Sequence, residues 1–148
     1  MNINKLKDSD YQIMEEYIYR LDVPFLRDHW HADKLKNYAT KLGTCSGIYR
    51  MIDIDRTVNL YQGETTSENK SSSCRKRLQS HRLSFVSNNR KETTGPKIRQ
   101  YMKDNNLSEM RVRYEFVDMT GCSNQDIIKA QDDAILRDKP FANVRGIA

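Results

Sequence analysis

The sequence predicts an α+β fold: a small three-stranded antiparallel sheet flanked by helices, in the order β-β-α-α-β-α, behind an N-terminal helical extension. Apolar residues recur at helical spacing before position 43. Two segments at 47–53 and 57–63 are separated by a turn short enough for a hairpin. A third, alternating segment at 111–119 stands between two helical patterns. The extension spans residues 1–43 and the core 44–148.

In chain order, Ser9 and Gln12 form a capping-box pattern, and Tyr11, Met14, Ile18 and Leu21 follow at helical spacing. Pro24 ends that helix, because the residue before a proline avoids the helical region, and can itself open the next. Leu35, Tyr38, Ala39 and Leu42 make a second apolar stripe that stops at Gly43, a residue suited to a C-terminal cap. Residues 47–53 and 57–63 read as strands with a turn over 53–56. The Ser-, Thr- and Asn-rich stretch 64–73 reads as a loop. A helix over 75–86 would bury Leu78, Phe85 and Val86; a polar loop over 87–95 and a short helix over 97–105 follow. In 111–119, Val112, Tyr114 and Phe116 alternate inward as a third strand. Gly121 breaks the chain, Ser123 and Asp126 start a final helix through Arg137, and Pro140 closes it.

A chain of 148 residues suits one domain with a real core, and no apolar run approaches the roughly 20 residues of a membrane span. The stretch 1–10 mixes Lys, Asp and Asn with scattered apolar residues, so no secretory signal and a cytoplasmic location are expected. Cys45, Cys74 and Cys122 are far apart and odd in number, which argues against a disulfide framework or a zinc cluster. His29 and His31, two apart, would point to different sides of a helix. Charge is segregated. Between Arg75 and Arg113 eleven basic residues face three acidic ones, a surplus of eight; the rest of the chain, against a total of +5, sums to −3. That is the footprint of a polyanion binder, and it fits a solvated basic surface equally well.

Gly47-Ile48-Tyr49, followed by Leu60-Tyr61-Gln62-Gly63, resembles the paired tripeptides that name the GIY-YIG nuclease family. Arg75-Lys76-Arg77-Leu78-Gln79-Ser80-His81 resembles the family's next motif, with Arg77 and His81 one turn apart on one helix face. Gln131-Asp132-Asp133-Ala134-Ile135-Leu136-Arg137, running on to Pro140 and Asn143, resembles its closing helix. The resemblance covers roughly residues 45–143, with four motifs in the right order. It implies a DNA endonuclease that uses one Mg²⁺ or Mn²⁺ per site. Phosphodiester cleavage needs a base for water, a cation for the developing charge and a metal clamp. By the resemblance, Tyr49 deprotonates or orients water, Tyr61 faces the same phosphate, and Arg77 braces it. His81 assists proton transfer or holds Tyr61, and Asn143 fixes the geometry. An unperturbed phenol ionises near ~10, so Tyr49 needs neighbouring cations to act as phenolate.

The chain departs from the family at position 131, where the metal-binding glutamate is replaced by Gln131. An amide oxygen carries no formal charge for a hard divalent cation, so this site should bind Mg²⁺ weakly. Three explanations stand side by side: an inactivating replacement, which is favoured; a natural protein that binds DNA without cutting; or a carboxylate from Asp132 or Asp133. The last needs a side chain turned about 100° away on the helix.

Polar insertions into a compact core resemble the restriction-enzyme members more than the homing, phage or repair nucleases. Arg75, Lys76, Arg82, Asn88, Asn89, Arg90, Lys91 and Lys97 are candidates for phosphate and base contacts with double-stranded DNA. Duplex cleavage at a palindrome implies a homodimer, for which Tyr17, Phe25 and Trp30 are candidate contacts. A catalytically inert DNA-binding module shares the basic segment.

Overall fold

The computed structural model describes residues 1–22, 33–39, 41–66, 73–86 and 93–143. A 3-10 turn over Asp8–Asp10 leads to β1 (Gln12–Arg20), β2 (Asp33–Asn37), β3 (Gly47–Asp53) and β4 (Val58–Thr65). There follow α1 (Cys74–Val86), α2 (Thr94–Asp104), β5 (Glu109–Asp118) and α3 (Asn124–Asp138). The strands form one antiparallel sheet in the order β2-β1-β5-β3-β4. From β3 onward the order is β-β-α-α-β-α, and the α+β class is as the sequence implies.

Among its described residues the N-terminal segment carries no α-helix, contrary to the expected helical extension. After the 3-10 turn its described elements are two strands, which extend the sheet from three strands to five. β5 offers two edges; β3 takes one and β1 the other. Tyr17, Ile18 and Tyr19 suit a pleated, half-buried surface, and pairing with β5 overrides the weaker helical preference. The register shift between Ile13 and Glu15 explains the misleading spacing. It inserts Met14 as an extra residue, so the buried hydrophobics at 14, 17 and 19 depart from strict alternation. The Ser9 pattern makes only a turn, closed by the Lys7 backbone N–H donating to Asp10 Oδ2 (2.8 Å). β2 is an exposed edge strand carrying Lys34 and Lys36, the kind of charge that blunts an open edge. Of the second expected stripe, Leu35 is 46% exposed, while Tyr38 donates its hydroxyl to Glu16 Oε1 (2.9 Å). The helix expected after Pro24, with Phe25, His29, Trp30 and His31, lies outside the described residues.

Successive residues of a strand point to opposite faces. Tyr49 and Met51 of β3 therefore join Leu78 and Phe85 of α1, Ile98 and Met102 of α2, and Tyr114 of β5 in the larger core. Ile48 points the other way, to Ile127 and Ala130 of α3 and to Val117. So α1 and α2 cover one face and α3 the other. The Ser123 hydroxyl caps α3 by accepting from the Asp126 N–H (3.1 Å), as its sequence implies. None of the described helices is long and apolar enough to cross a membrane.

One buried ionic network ties α1 to the N-terminal strands. Glu15 is fully buried and accepts from the Tyr17 hydroxyl (2.6 Å) and Arg75 Nη2 (2.6 Å), with Lys34 Nζ at 2.9 Å. Burial pushes its carboxyl up, but hydrogen bonds from Tyr17 and Lys34 and the Arg75 charge hold it below the ordinary value.

The core is rich in buried phenols, and burial pushes Tyr11, Tyr17 and Tyr101 up to about 12. Unfolded tyrosines ionise near ~10, so the unfolded chain releases protons first and folding stability falls as pH rises above that value. Urea unfolding followed by circular dichroism should give a flat midpoint through neutral pH and a falling one between ~10 and ~12. A midpoint unchanged across that window would contradict the burial of these phenols.

Candidate active site

The β3–β4 register sets Tyr49 opposite Gly63 and Met51 opposite Tyr61, so both tyrosines face α1. Tyr49 is 1% exposed, and its ring lies across Gly63. A Cβ at position 63 would stand 2.5 Å from the Tyr49 hydroxyl oxygen and 2.7 Å from a ring carbon. Only glycine leaves that space.

The start of α1 is docked on the segment that leads into β3. The Cys74 N–H donates to the Cys45 carbonyl (3.1 Å) and the Arg75 N–H to the Gly43 carbonyl (2.8 Å). With Leu78 and Phe85 buried beneath it, the helix turns His81 toward the tyrosines. Tyr49 Oη and His81 Nε2 are 3.2 Å apart, a hydrogen bond in which either atom could donate. The Tyr61 ring lies 4.4 Å from the His81 ring and stacks 6.2 Å from that of Tyr49. Arg77, one turn before His81, is exposed and within electrostatic reach of the Tyr49 phenol. Three of the expected site residues, Tyr49, Tyr61 and His81, are thus together, with Arg77 one turn away on the same helix.

Burial dominates the chemistry of Tyr49 and pushes its hydroxyl well above 10. Tyr61 adds to the rise, Arg77 opposes it, and Cys74 and Glu64 add further. The cation expected to produce a phenolate is present, but desolvation outweighs it. Tyr49 is a neutral phenol.

Asn143 behaves as a peptide mimic. After α3, Lys139 adopts a left-handed conformation (φ 46°), and the chain turns along the outer edge of β4. There the Phe141 and Ala142 N–H groups donate to the Asn59 (3.2 Å) and Leu60 (2.8 Å) carbonyls. The Asn143 side chain continues the ladder: its Oδ1 accepts from the Gln62 N–H (2.8 Å), and its Nδ2 donates to the Gln62 carbonyl (2.7 Å). Gln62 stands between Tyr61 and Gly63, so this clamp holds the strand that positions both tyrosines.

Gln131 is carried by α3, the helix that packs on the sheet face opposite α1. It is 9% exposed, and β4 is the outermost strand of the sheet. Its Oε1 is buried without a hydrogen-bond partner among the described residues. Asp132 and Asp133 are exposed, and Asp133 pairs with Lys129 (2.8 Å), so neither stands in for a carboxylate at position 131. The 100° turn of the helix decides that.

One polar residue of this region escaped the sequence reading. Glu64 was expected in a loop, yet it lies in β4, paired with Ile48. The signal was there: if Gly47 begins a strand of the hairpin, its partner must run on to Thr65. Glu64 is half-buried, its Oε2 is buried with no hydrogen-bond partner among the described residues, and its charge is felt at Tyr49.

The candidate DNA-contacting residues divide. Arg75 is held by Glu15 and by the Leu42 carbonyl (3.2 Å), and Arg82 is buried with its guanidinium 4.1 Å from the Tyr17 ring centre. Both serve the core, contrary to expectation, because their stems lie on inward faces of α1. Tyr17, a candidate dimer contact, is buried in the same cluster. Lys76 is exposed and Lys97 half-buried; Asn88, Asn89, Arg90 and Lys91 lie outside the described residues.

Gly63→Ala should drive its methyl into the Tyr49 ring and lower stability by about 1–3 kcal/mol. Asn143→Ala should strip two partners from the Gln62 backbone, at a cost of about 1–3 kcal/mol for each group left buried and unpaired. Thermal melts check both, and a Gly63→Ala protein as stable as the parent contradicts the close approach. Comparison with known family models, curated proteins and solved structures finds no match for this chain.

Proposed function

We propose that the chain is a metal-dependent endonuclease for double-stranded DNA, of the GIY-YIG type and of restriction-enzyme character, weakened at its metal position by Gln131. The supporting observation is the cluster of Tyr49, Tyr61 and His81 with the exposed Arg77 one turn away. The set places a buried phenol against an imidazole, with a solvent-facing guanidinium one helical turn away.

Arg77 brings the phosphate to the site, its planar fork matching phosphoryl oxygens. Tyr49 works as a neutral phenol. Its oxygen accepts a proton from the attacking water while its own passes to His81 Nε2, which requires the imidazole tautomer with Nε2 unprotonated. Tyr61 packs against His81 and holds the ring in place. Asn143 holds the strand through Gln62. Mg²⁺ or Mn²⁺ takes oxygen donors, and the orphaned, buried Oε1 of Gln131 fits that demand in kind although not in charge. Bound, such a cation would offset charge developing on the phosphate.

The second reading is a DNA-binding module that does not cut. It is favoured by the neutral side chain at 131 and by the burial of Tyr49. One assay separates the two. With Mg²⁺ and plasmid DNA, Gln131→Glu should raise cleavage. In that background, Tyr49→Phe or Arg77→Ala should lose about 10²–10³-fold in rate. If Gln131→Glu stays inert on varied duplexes while still binding them, the non-cutting reading stands and the nuclease reading falls.

Duplex cleavage by one-strand sites needs two of them, so light scattering with a cognate-length duplex should report a two-fold dimer. A monomer both with and without DNA would count against the restriction-type proposal.

A further inference from the structure

We propose that Glu64 is the charged ligand of a divalent-cation site that the amide oxygen of Gln131 completes, the cation being Mg²⁺ or Mn²⁺. The proposal deepens the nuclease reading above and rests on it for the cation's use. Glu64 and Gln131 share the layer between the β3–β4 hairpin and α3. Glu64 lies directly across from Ile48, which clusters with Ile127 and Ala130 of α3, and that helix, carrying the buried Gln131, packs on β4. Each presents a buried oxygen, Oε2 and Oε1 respectively, that accepts no hydrogen bond among the described residues.

These oxygens, with Asn59 Oδ1 and the Gln62 Nε2 donor on the same strand, are orphaned among the described residues, and each is costly, since a buried polar group without a partner keeps its desolvation penalty. A hard cation removes that penalty at both oxygens. Mg²⁺ commonly takes one or two protein oxygens and fills its remaining positions with water, so a pair of donors suffices. The charge that a glutamine cannot supply at position 131 is present at position 64. Glu64 also lies within electrostatic reach of the Tyr49 phenol, which links the α3 half of the site to the tyrosine half around the β4 edge. Among the described residues no cluster of three His, Cys, Asp or Glu side chains offers a competing site.

Titration of the full chain with Mn²⁺, with free Mn²⁺ read by electron paramagnetic resonance, tests this without reference to cleavage. The parent chain should bind, Glu64→Gln should weaken binding roughly tenfold or more, and Gln131→Glu should strengthen it. In EDTA, Glu64→Gln should melt no lower than the parent, because it removes an unpaired charge and not a structural contact. Equal Mn²⁺ affinity in the parent and Glu64→Gln, no binding by the parent, or a marked loss of metal-free stability in Glu64→Gln each overturns the proposal. Mn²⁺ bound through Glu64 by a chain that never cuts DNA, even as Gln131→Glu, sinks the nuclease reading alone. Cleavage by a chain whose Mn²⁺ affinity ignores Glu64 sinks this proposal alone.

Discussion

The Tyr49 ring lying across Gly63 fixes nearly everything else about the site. That contact exists only in the observed β3–β4 register, and a slip of one residue would turn every side chain of one strand to the other face. Three elements guard against the slip. On the inner side β5 pairs Phe116 with Tyr49. On the outer side Asn143 grips both backbone groups of Gln62. From above, α1 is bonded to the Gly43 and Cys45 carbonyls immediately before β3. The hydroxyl of Tyr49 can meet His81 because all three hold at once.

The basic segment illustrates how charge counted along a chain differs from charge displayed on a surface. Of its eleven basic residues, Arg75 neutralises buried Glu15, and Arg82 lies over the Tyr17 ring. Arg99 donates to the Phe85 carbonyl (2.8 Å), Arg111 pairs with Asp55, and Arg113 with Glu16 (3.1 Å). These arginines stitch elements together, as their forked donors allow. Lys76, Arg77 and Lys103 remain among the exposed ones. A polyanion would therefore meet a smaller positive field than the surplus of eight suggests, with Arg77 nearest the tyrosines.

What could be read in advance follows the range of the forces involved. The hairpin, α1, β5 and the capped α3 were legible because local signals decide them: short turns, helical apolar spacing, alternation, and the Ser123 cap. Tyr49, Tyr61, Arg77 and His81 were legible for the same reason, since hairpin register and one helical turn carry them. β1 was not. Its strand character depends on an edge of β5 about a hundred residues away, and the bulge at Met14 gave it a false helical interval. The side of the sheet on which Gln131 lies was also hidden, because the packing of α3 on the far face is a tertiary choice. Glu64 was lost to composition: a polar residue before a run of Ser and Thr looks like loop until its partner strand is counted.

Burial also decides what kind of catalyst this arrangement could be. A phenol taken out of water holds its proton, and the opposing effect of Arg77 does not reverse that. In the proposed reaction Tyr49 therefore transmits a proton without storing charge, and the imidazole 3.2 Å away receives it. A relay of this kind leaves the negative charge on the phosphate side of the site, where Arg77 is the exposed cation. The proton handed to His81 makes the imidazole a second positive centre beside Arg77, and the unpaired oxygens of Glu64 and Gln131 are the part of the fold that could hold a third, a divalent cation.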